Sequence, residues 1–172
     1  HYISTCPGKT HYLGINLDSV RPMKPRFLYA TLANLAFFIS FNSFAPLNAE
    51  LVDDILTQTN NFRKTKGLAA LTMREDLNAI AQKHSENMAN GRTRFGHGGL
   101  KHREKEAKSK ITTMTAFAEN VAYGATSGVE VVTMWKNSPG HRTNMLGDYK
   151  YIGIGTATDK RGQIYFTQVF VD

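Results

Sequence analysis

The sequence predicts an α+β domain built around a small antiparallel sheet. Helical periodicity dominates residues 50–90, and three strand-like segments follow at 117–123, 149–158 and 163–171. One further helical segment interrupts the strands. Helices that precede a run of strands are typical of α+β folds rather than of folds in which the two alternate.

The first helix is predicted over residues 50–66. Apolar side chains fall near one face of this segment, and basic residues in its last turn favour the negative end of the helix dipole. Gly67 follows, as is typical of a residue that ends a helix. We expect Arg63 to make a structural ion pair or carbonyl contacts rather than ligand contacts.

The second helix is predicted to end at Asn90, just before Gly91. Thr72 and Glu75 have the spacing of a capping box, which predicts where this helix starts. His84 lies on its apolar face, so we expect a core or interface histidine that makes one hydrogen bond.

Residues 91–113 are predicted to form a long loop with room for one short helix. Within it, residues 101–110 hold five Lys and Arg against two Glu. Alternating charges without interleaved aromatic side chains indicate a solvated loop rather than a nucleic-acid site. We therefore expect no nucleic-acid partner, and polyanion binding is the alternative for this segment.

Residue types at the ends of the helices and strands after residue 124 predict where these elements begin and end. Ser127 is expected to cap a helix over residues 128–137, and Pro139 begins a short helical turn that presents His141. Residues 159–162 predict a hairpin between the last two strands. Three aromatic side chains are expected in the core, namely Tyr123, Trp135 and Phe170.

Residues 23–49 have the pattern of a secretory signal peptide. A basic start at Met23 precedes an apolar run over residues 27–41, and small residues lead to Ala49. We expect cleavage after Ala49, with retention as a membrane anchor as the alternative. Residues 1–22 are interpreted as upstream or mis-started sequence, which leaves one domain over residues 50–172.

Charge and cysteine content narrow the class of protein. The leader holds four of the 21 Lys and Arg and one of the 14 acids, so the predicted mature domain carries a net charge of +4. Such a charge suits contact with anionic wall polymers or lipid surfaces. The one cysteine, Cys6, lies in the leader. An exported domain without disulfides must rely on its core, which favours a bacterial protein.

Several sequence blocks occur in a specific order and spacing. They are Asn60-x-x-Arg63, Phe95-Gly96-His97, the segment 118–122 (Ala-Glu-Asn-Val-Ala), the segment 137–146 (Asn-Ser-Pro-Gly-His-Arg-Thr-Asn-Met-Leu) after Trp135, and the strand motifs at 151–155 and 165–170. Over residues 53–171 the set resembles the CAP superfamily of cysteine-rich secretory proteins, antigen 5 and pathogenesis-related 1 proteins, in its bacterial SCP-domain branch. The resemblance implies a three-layer α-β-α sandwich.

The resemblance also implies a cleft lined by two histidines and two glutamates. Three of these positions correspond to His97, Glu119 and His141, whereas the second glutamate is replaced by Ser138. In the family the histidine pair can bind a divalent metal such as zinc, and neutral imidazoles suit that ion. We expect His97 and His141 to be the metal ligands here, with weak affinity.

Two alternatives compete with a functional cleft. The histidines and Glu119 could form a buried hydrogen-bond cluster that fastens loops to the sheet. Ser138, His141 and Glu119 could also form a hydrolase triad, which geometry must decide. A serine before Pro139 is more typical of a helix N-cap, and the nucleophile-elbow pattern is absent.

The sequence therefore predicts a monomeric protein that is secreted or held at the cell envelope and acts as a binding or interaction module. The candidate partners are a small apolar ligand, an envelope component or a protein. Sterols and fatty acids are ligands in the resembling family. The alternative function is a metal-assisted or Ser-dependent hydrolase.

Overall fold

A computed structural model describes residues 46–172 of the chain. Its elements are α1 (Pro46–Lys64), β1 (Thr72–Met73), α2 (Glu75–Ala89), α3 (Leu100–Lys110), β2 (Phe117–Tyr123), α4 (Gly128–Asn137), α5 (Pro139–Met145), β3 (Tyr151–Thr158) and β4 (Ile164–Val171). Almost all of the expected leader lies outside the described residues, so its cleavage stays a prediction. No described helix has the length and apolar composition needed to cross a membrane.

The four described strands form one sheet in the order β1-β3-β4-β2. The pairs β3–β4 and β2–β4 are antiparallel, as predicted, and Glu119 of β2 lies opposite Val169 of β4. The two-residue strand β1 pairs in parallel with β3, which the sequence did not predict. Strand β2 is therefore an edge strand.

The predicted capping box at Thr72 is wrong. The backbone amides of Thr72 and Arg74 donate to the carbonyls of Lys150 and Ile152, which holds this segment extended as β1. Helix α2 begins at Glu75, and its N-cap residue, Arg74, makes no side-chain capping bond. Pairing with β3 decides the conformation here, and local spacing does not reveal such a partner.

The loop prediction for residues 101–110 is also wrong, because these residues form most of helix α3. Arg103 and Ala107 lie one helical turn apart and are buried, while most of the remaining charged side chains stay in solvent. A stripe only two residues wide is a weak sequence signal for a helix.

The sheet separates two helical layers, so the three-layer sandwich is confirmed. Alternate side chains of β4 point to opposite faces: Phe166 and Phe170 pack with α1, α4 and α5, whereas Val169 and Val171 pack with α2 and α3. Trp135 and Phe170 are buried core aromatics, as predicted.

Two glycines of β3 allow α2 to lie directly on the sheet. A Cβ atom at Gly155 would sit 2.1 Å from the backbone nitrogen of Gln82, and one at Gly153 would sit 2.3 Å from the carbonyl of Leu77. Both distances are far below a van der Waals contact. The face of β3 toward α2 therefore accepts only glycine at these two positions.

Arg63 joins α1 to the segments that precede strands β1 and β3. It is 2% exposed. Its guanidinium donates to four carbonyl oxygens, those of Ala69 (2.9 Å), Met145 (2.8 Å), Gly147 (2.8 Å) and Tyr149 (3.5 Å). Asn60 exchanges two hydrogen bonds with the backbone of Leu71. The structural role expected for Arg63 is confirmed, and Asn60 has a structural role as well.

Gly155→Ala should lower the free energy of unfolding by about 3 kcal/mol or more, because the methyl group meets helix backbone that cannot move alone. Gly140→Ala is the matched control: it lies in α5 with open space around its Cβ position. That change should be neutral or stabilising by up to about 1 kcal/mol. Urea unfolding of the two variants checks both values, and equal losses would contradict the close approach.

Candidate functional site

The carboxylate of Glu119 lies at the centre of the candidate site. Glu119 is in β2 and is only 4% exposed. Arg103 of α3 donates to both of its oxygens, from Nε to Oε2 at 2.5 Å and from Nη2 to Oε1 at 2.7 Å. The nitrogen Nδ1 of His97 lies 2.9 Å from Oε1. The sequence predicted His97 and Glu119 but missed Arg103, because the helix that carries it was taken for a loop.

His84 lies close to the carboxylate of Glu119 and is 2% exposed. Its Nε2 lies 2.9 Å from the carbonyl oxygen of Gly96, so Nε2 must carry the proton and donate. Burial, together with the charge of Arg103, lowers the pKa of His84, and the charge of Glu119 only partly opposes this. His84 is therefore a neutral structural histidine, as the sequence predicted.

The loop that carries His97 is held by backbone contacts. Besides the bond from His84 to Gly96, Arg103 Nη1 donates to the carbonyl of Gly98 at 2.8 Å. Gly96 and Gly99 adopt positive φ angles of 131° and 79°, which glycine accommodates without strain. The loop thus places the His97 ring against Glu119 while leaving 46% of the side chain exposed.

Helix α5 brings His141 to the same edge of the sheet. Asn120 donates from Nδ2 to the backbone carbonyl of His141 at 3.1 Å, and Asn144 donates to the carbonyl of Glu119 at 3.1 Å. Burial lowers the pKa of the His141 ring, and so does a positive charge on His97. His97 and His141 thus reach the edge strand β2 from opposite layers of the sandwich.

The outward carbonyls of edge strand β2 are covered by side chains. Trp135 Nε1 donates to the carbonyl of Val121 at 3.2 Å, as Asn144 does to that of Glu119. Capping an edge in this way blocks the addition of another strand. It also fixes α4 and α5 against β2, where the cleft opens.

A cavity of about 470 Å³ opens beside His141. It is lined by Phe95, Val121, Ala122, Tyr123, Met134, Trp135, Ser138 and His141. The Phe95 ring lies edge-on to Tyr123 with centroids 4.6 Å apart, and Tyr123 stacks on Tyr165 at 5.8 Å. Tyr123 is 45% exposed, so the prediction that it is a core aromatic is wrong. It ends β2 beyond the packed layers and forms a wall of the cavity.

Ser138 and His141 line this cavity, but Glu119 does not connect to them as a triad requires. The hydrogen bonds of its carboxylate within residues 46–172 go to Arg103 and His97. Ser138 ends α4 and precedes α5, as an N-cap should, yet its side chain makes no capping bond. Ser138 is thus the N-cap residue of α5, as predicted, without a hydrogen bond from its side chain.

His97 and His141 are the two imidazoles that the sequence predicts as metal ligands. Within the described part of the chain, no group of three or more His, Cys, Asp or Glu side chains is arranged to hold one. His97 Nδ1 is engaged by Glu119, which leaves Nε2 as its donor atom toward a metal. An ion held by His97 and His141 would complete its coordination with water, as open zinc sites do.

Acidification should destabilise the protein through His84. Because its folded-state pKa lies below the unfolded value, the unfolded chain binds more protons, and stability is lost as pH falls below about 6.5. The slope is at most about 1.4 kcal/mol per pH unit for one histidine. Urea unfolding between pH 7.5 and 5.5 should show a shallower slope for His84→Gln than for wild type or for His102→Gln, an exposed control. Identical slopes would contradict this assignment.

Removing one partner of the buried Arg103–Glu119 pair should lower the free energy of unfolding more than removing both partners. Arg103→Met leaves Glu119 without its cationic partner, and we expect a loss of about 3–5 kcal/mol in the free energy of unfolding. Adding Glu119→Leu removes both charges and should restore most of that loss. Thermal and urea unfolding of the single and double variants measure this coupling, and additive losses would argue against it.

The family model described as the cysteine-rich secretory protein family, CAP, matches residues 56–170. The uncharacterized membrane protein YlbC of Bacillus subtilis is 35% identical over 123 residues, which cover 68% of this chain and 33% of that protein. The chain thus spans about a third of that relative's length.

Solved structures share the fold. A cysteine-rich secretory protein from Staphylococcus aureus has a TM-score of 0.60 and 25% identity, over 76% of this chain and 41% of that one. An extracellular SCP-domain protein from Bacillus anthracis has a TM-score of 0.63 and 22% identity, over 76% and 45% of the two chains. The chain therefore belongs to the cysteine-rich secretory protein (CAP) family, in its bacterial SCP-domain branch.

Proposed function

We propose that this protein is an exported binding module whose cleft takes a small ligand with an apolar body. The cavity beside His141 carries this proposal. Its volume of about 470 Å³ is typical of small-molecule sites, which combine apolar walls with a few polar groups. Ser138 and His141 provide the polar end, and the other six lining residues are apolar or aromatic.

Exposed apolar side chains around the cavity support binding. Phe95, Tyr123 and Met134 are 47%, 45% and 43% exposed, although side chains of this kind are normally buried. They belong to three different elements and meet at one opening. A patch of exposed apolar side chains is typical of a ligand-binding or interaction surface.

Export is supported by two independent observations. The leader has the basic start and apolar run of a signal peptide. The Bacillus anthracis protein that shares this fold is described as extracellular. Contact with the cell envelope fits the mild positive charge of the predicted mature domain.

A hydrolase is the alternative, because Ser138 and His141 line the same cavity. Against it, Arg103 and His97 occupy the carboxylate of Glu119, which is then a poor general base. A panel of small esters and peptides separates the two functions. Turnover that disappears in Ser138→Ala would favour the hydrolase.

The single tryptophan of the chain offers a direct test of ligand binding, because Trp135 lines the cavity. Titration with 1-octanol should change its fluorescence saturably. Met134→Asp should weaken binding by about tenfold or more, since it places a charge on an apolar wall. Val129→Ala is the matched control, because Val129 is 54% exposed on the same helix but does not line the cavity. An unsaturable response in wild type would contradict the proposal.

We further propose that His97 and His141 hold Zn²⁺ weakly, with water completing the coordination. Calorimetry should detect a small binding heat in wild type that is lost in the His97→Ala, His141→Ala double variant. His102→Ala removes an exposed histidine of α3 and should leave the heat unchanged. Equal heats in wild type and in the double variant would place the binding elsewhere.

A further inference from the structure

We infer that a second, smaller cavity binds a free α-amino acid in its zwitterionic form. This cavity of about 170 Å³ lies between helices α2 and α3 and the loop that joins them. It shares no lining residue with the cavity beside His141, so the two sites can be tested separately. Its lining includes polar side chains from both helices and from the loop, namely Lys83, His84, Asn87, Thr93, Arg103 and Glu106.

Two polar atoms of these lining residues have no hydrogen-bond partner. His84 donates from Nε2 to the carbonyl of Gly96, so its other nitrogen, Nδ1, carries a lone pair, and this nitrogen accepts no hydrogen bond within residues 46–172. The hydroxyl oxygen of Thr93 is the one fully enclosed side-chain nitrogen or oxygen in that range without a partner. Nδ1 of His84 is therefore not fully enclosed, and the cavity is the open space that His84 lines. Because buried polar groups are normally paired, these atoms indicate a site for a polar ligand.

Charges of both signs line the cavity. Arg103 uses three of its five N–H groups on Glu119 and on the carbonyl of Gly98, which leaves two that can donate. Lys83 forms no ion pair in the part of the chain that the structure describes. The carboxylate of Glu106 lies 3.9 Å from the ring nitrogen of His102, which is too long for a hydrogen bond.

A small molecule with both an ammonium and a carboxylate matches this set of groups. The ammonium can donate to His84 Nδ1 and to Glu106, and the carboxylate can accept from Lys83 and Arg103. A simple anion such as phosphate would meet the lone pair of His84 and the carboxylate of Glu106, which both only accept. The cavity is smaller than the roughly 300–1,000 Å³ of drug-sized sites, so the amino acid must have a small side chain.

Calorimetry of the full chain with glycine, the smallest such ligand, tests the site. Glycine should give a saturable heat and bind at least about tenfold more tightly than acetate or methylamine, because each of these lacks one of the two charged groups. Inorganic phosphate is the probe for a simple anion site. The absence of saturable glycine binding, or acetate or phosphate binding as tightly as glycine, would overturn the inference.

Glu106→Gln should weaken glycine binding by about tenfold and leave the weaker acetate binding unchanged, because it removes a partner of the ammonium alone. Glu104→Gln is the matched control: Glu104 lies on the same helix, pairs with Lys101 and does not line the cavity. Glycine affinity that is equal in Glu106→Gln and in wild type contradicts the assigned contact.

Thr93→Val keeps the shape of the side chain and removes the unpaired hydroxyl. It should weaken glycine binding by about fivefold, as expected for one hydrogen bond. In the absence of glycine its Tm should equal or exceed that of wild type, because the buried hydroxyl has no partner to lose. A lower Tm would mean that the hydroxyl stabilises the fold, and it would remove Thr93 from the site.

Discussion

The site depends on one buried ion pair. A carboxylate in a protein interior is costly unless it is paired and fully hydrogen-bonded, and Glu119 is both. The pair joins strand β2 to helix α3, and through Gly98 it also restrains the loop that carries His97. Loss of Arg103 would therefore disturb packing and the position of this loop together. The cleft and the core share this interaction, so a functional site and a structural cluster are not exclusive descriptions of it.

Close packing on one face of the sheet allows the cleft to form at its edge. Gly153 and Gly155 let α2 lie on β3 without intervening side chains. His84 of that helix donates a hydrogen bond to the carbonyl of Gly96, in the loop between α2 and α3. On the opposite face, α4 and α5 carry Trp135 and His141 to the same edge. Residues from two separate layers thus meet only where the sheet ends.

The proposed function uses this edge as a binding surface. Its one buried carboxylate is neutralised, and the position where the family pattern has a second glutamate is Ser138. What faces the cavity is an apolar surface with the imidazole of His141 and the hydroxyl of Ser138 at its end. Such a surface can recognise an apolar ligand through shape and a single directional hydrogen bond.

The sequence by itself determined the helices and strands with strong periodicity, the left-handed glycines that end α1 and α2, and the cap at Ser127. Through the family resemblance it also grouped His97 with Glu119. It also indicated the family, because the order of short blocks is a one-dimensional property. The tertiary structure alone decided that Thr72 is in a strand, that residues 101–110 are helical, and that Arg103 is the partner of Glu119. In each of these cases the stabilising contact comes from a segment distant in the chain, and local propensity carries no information about it.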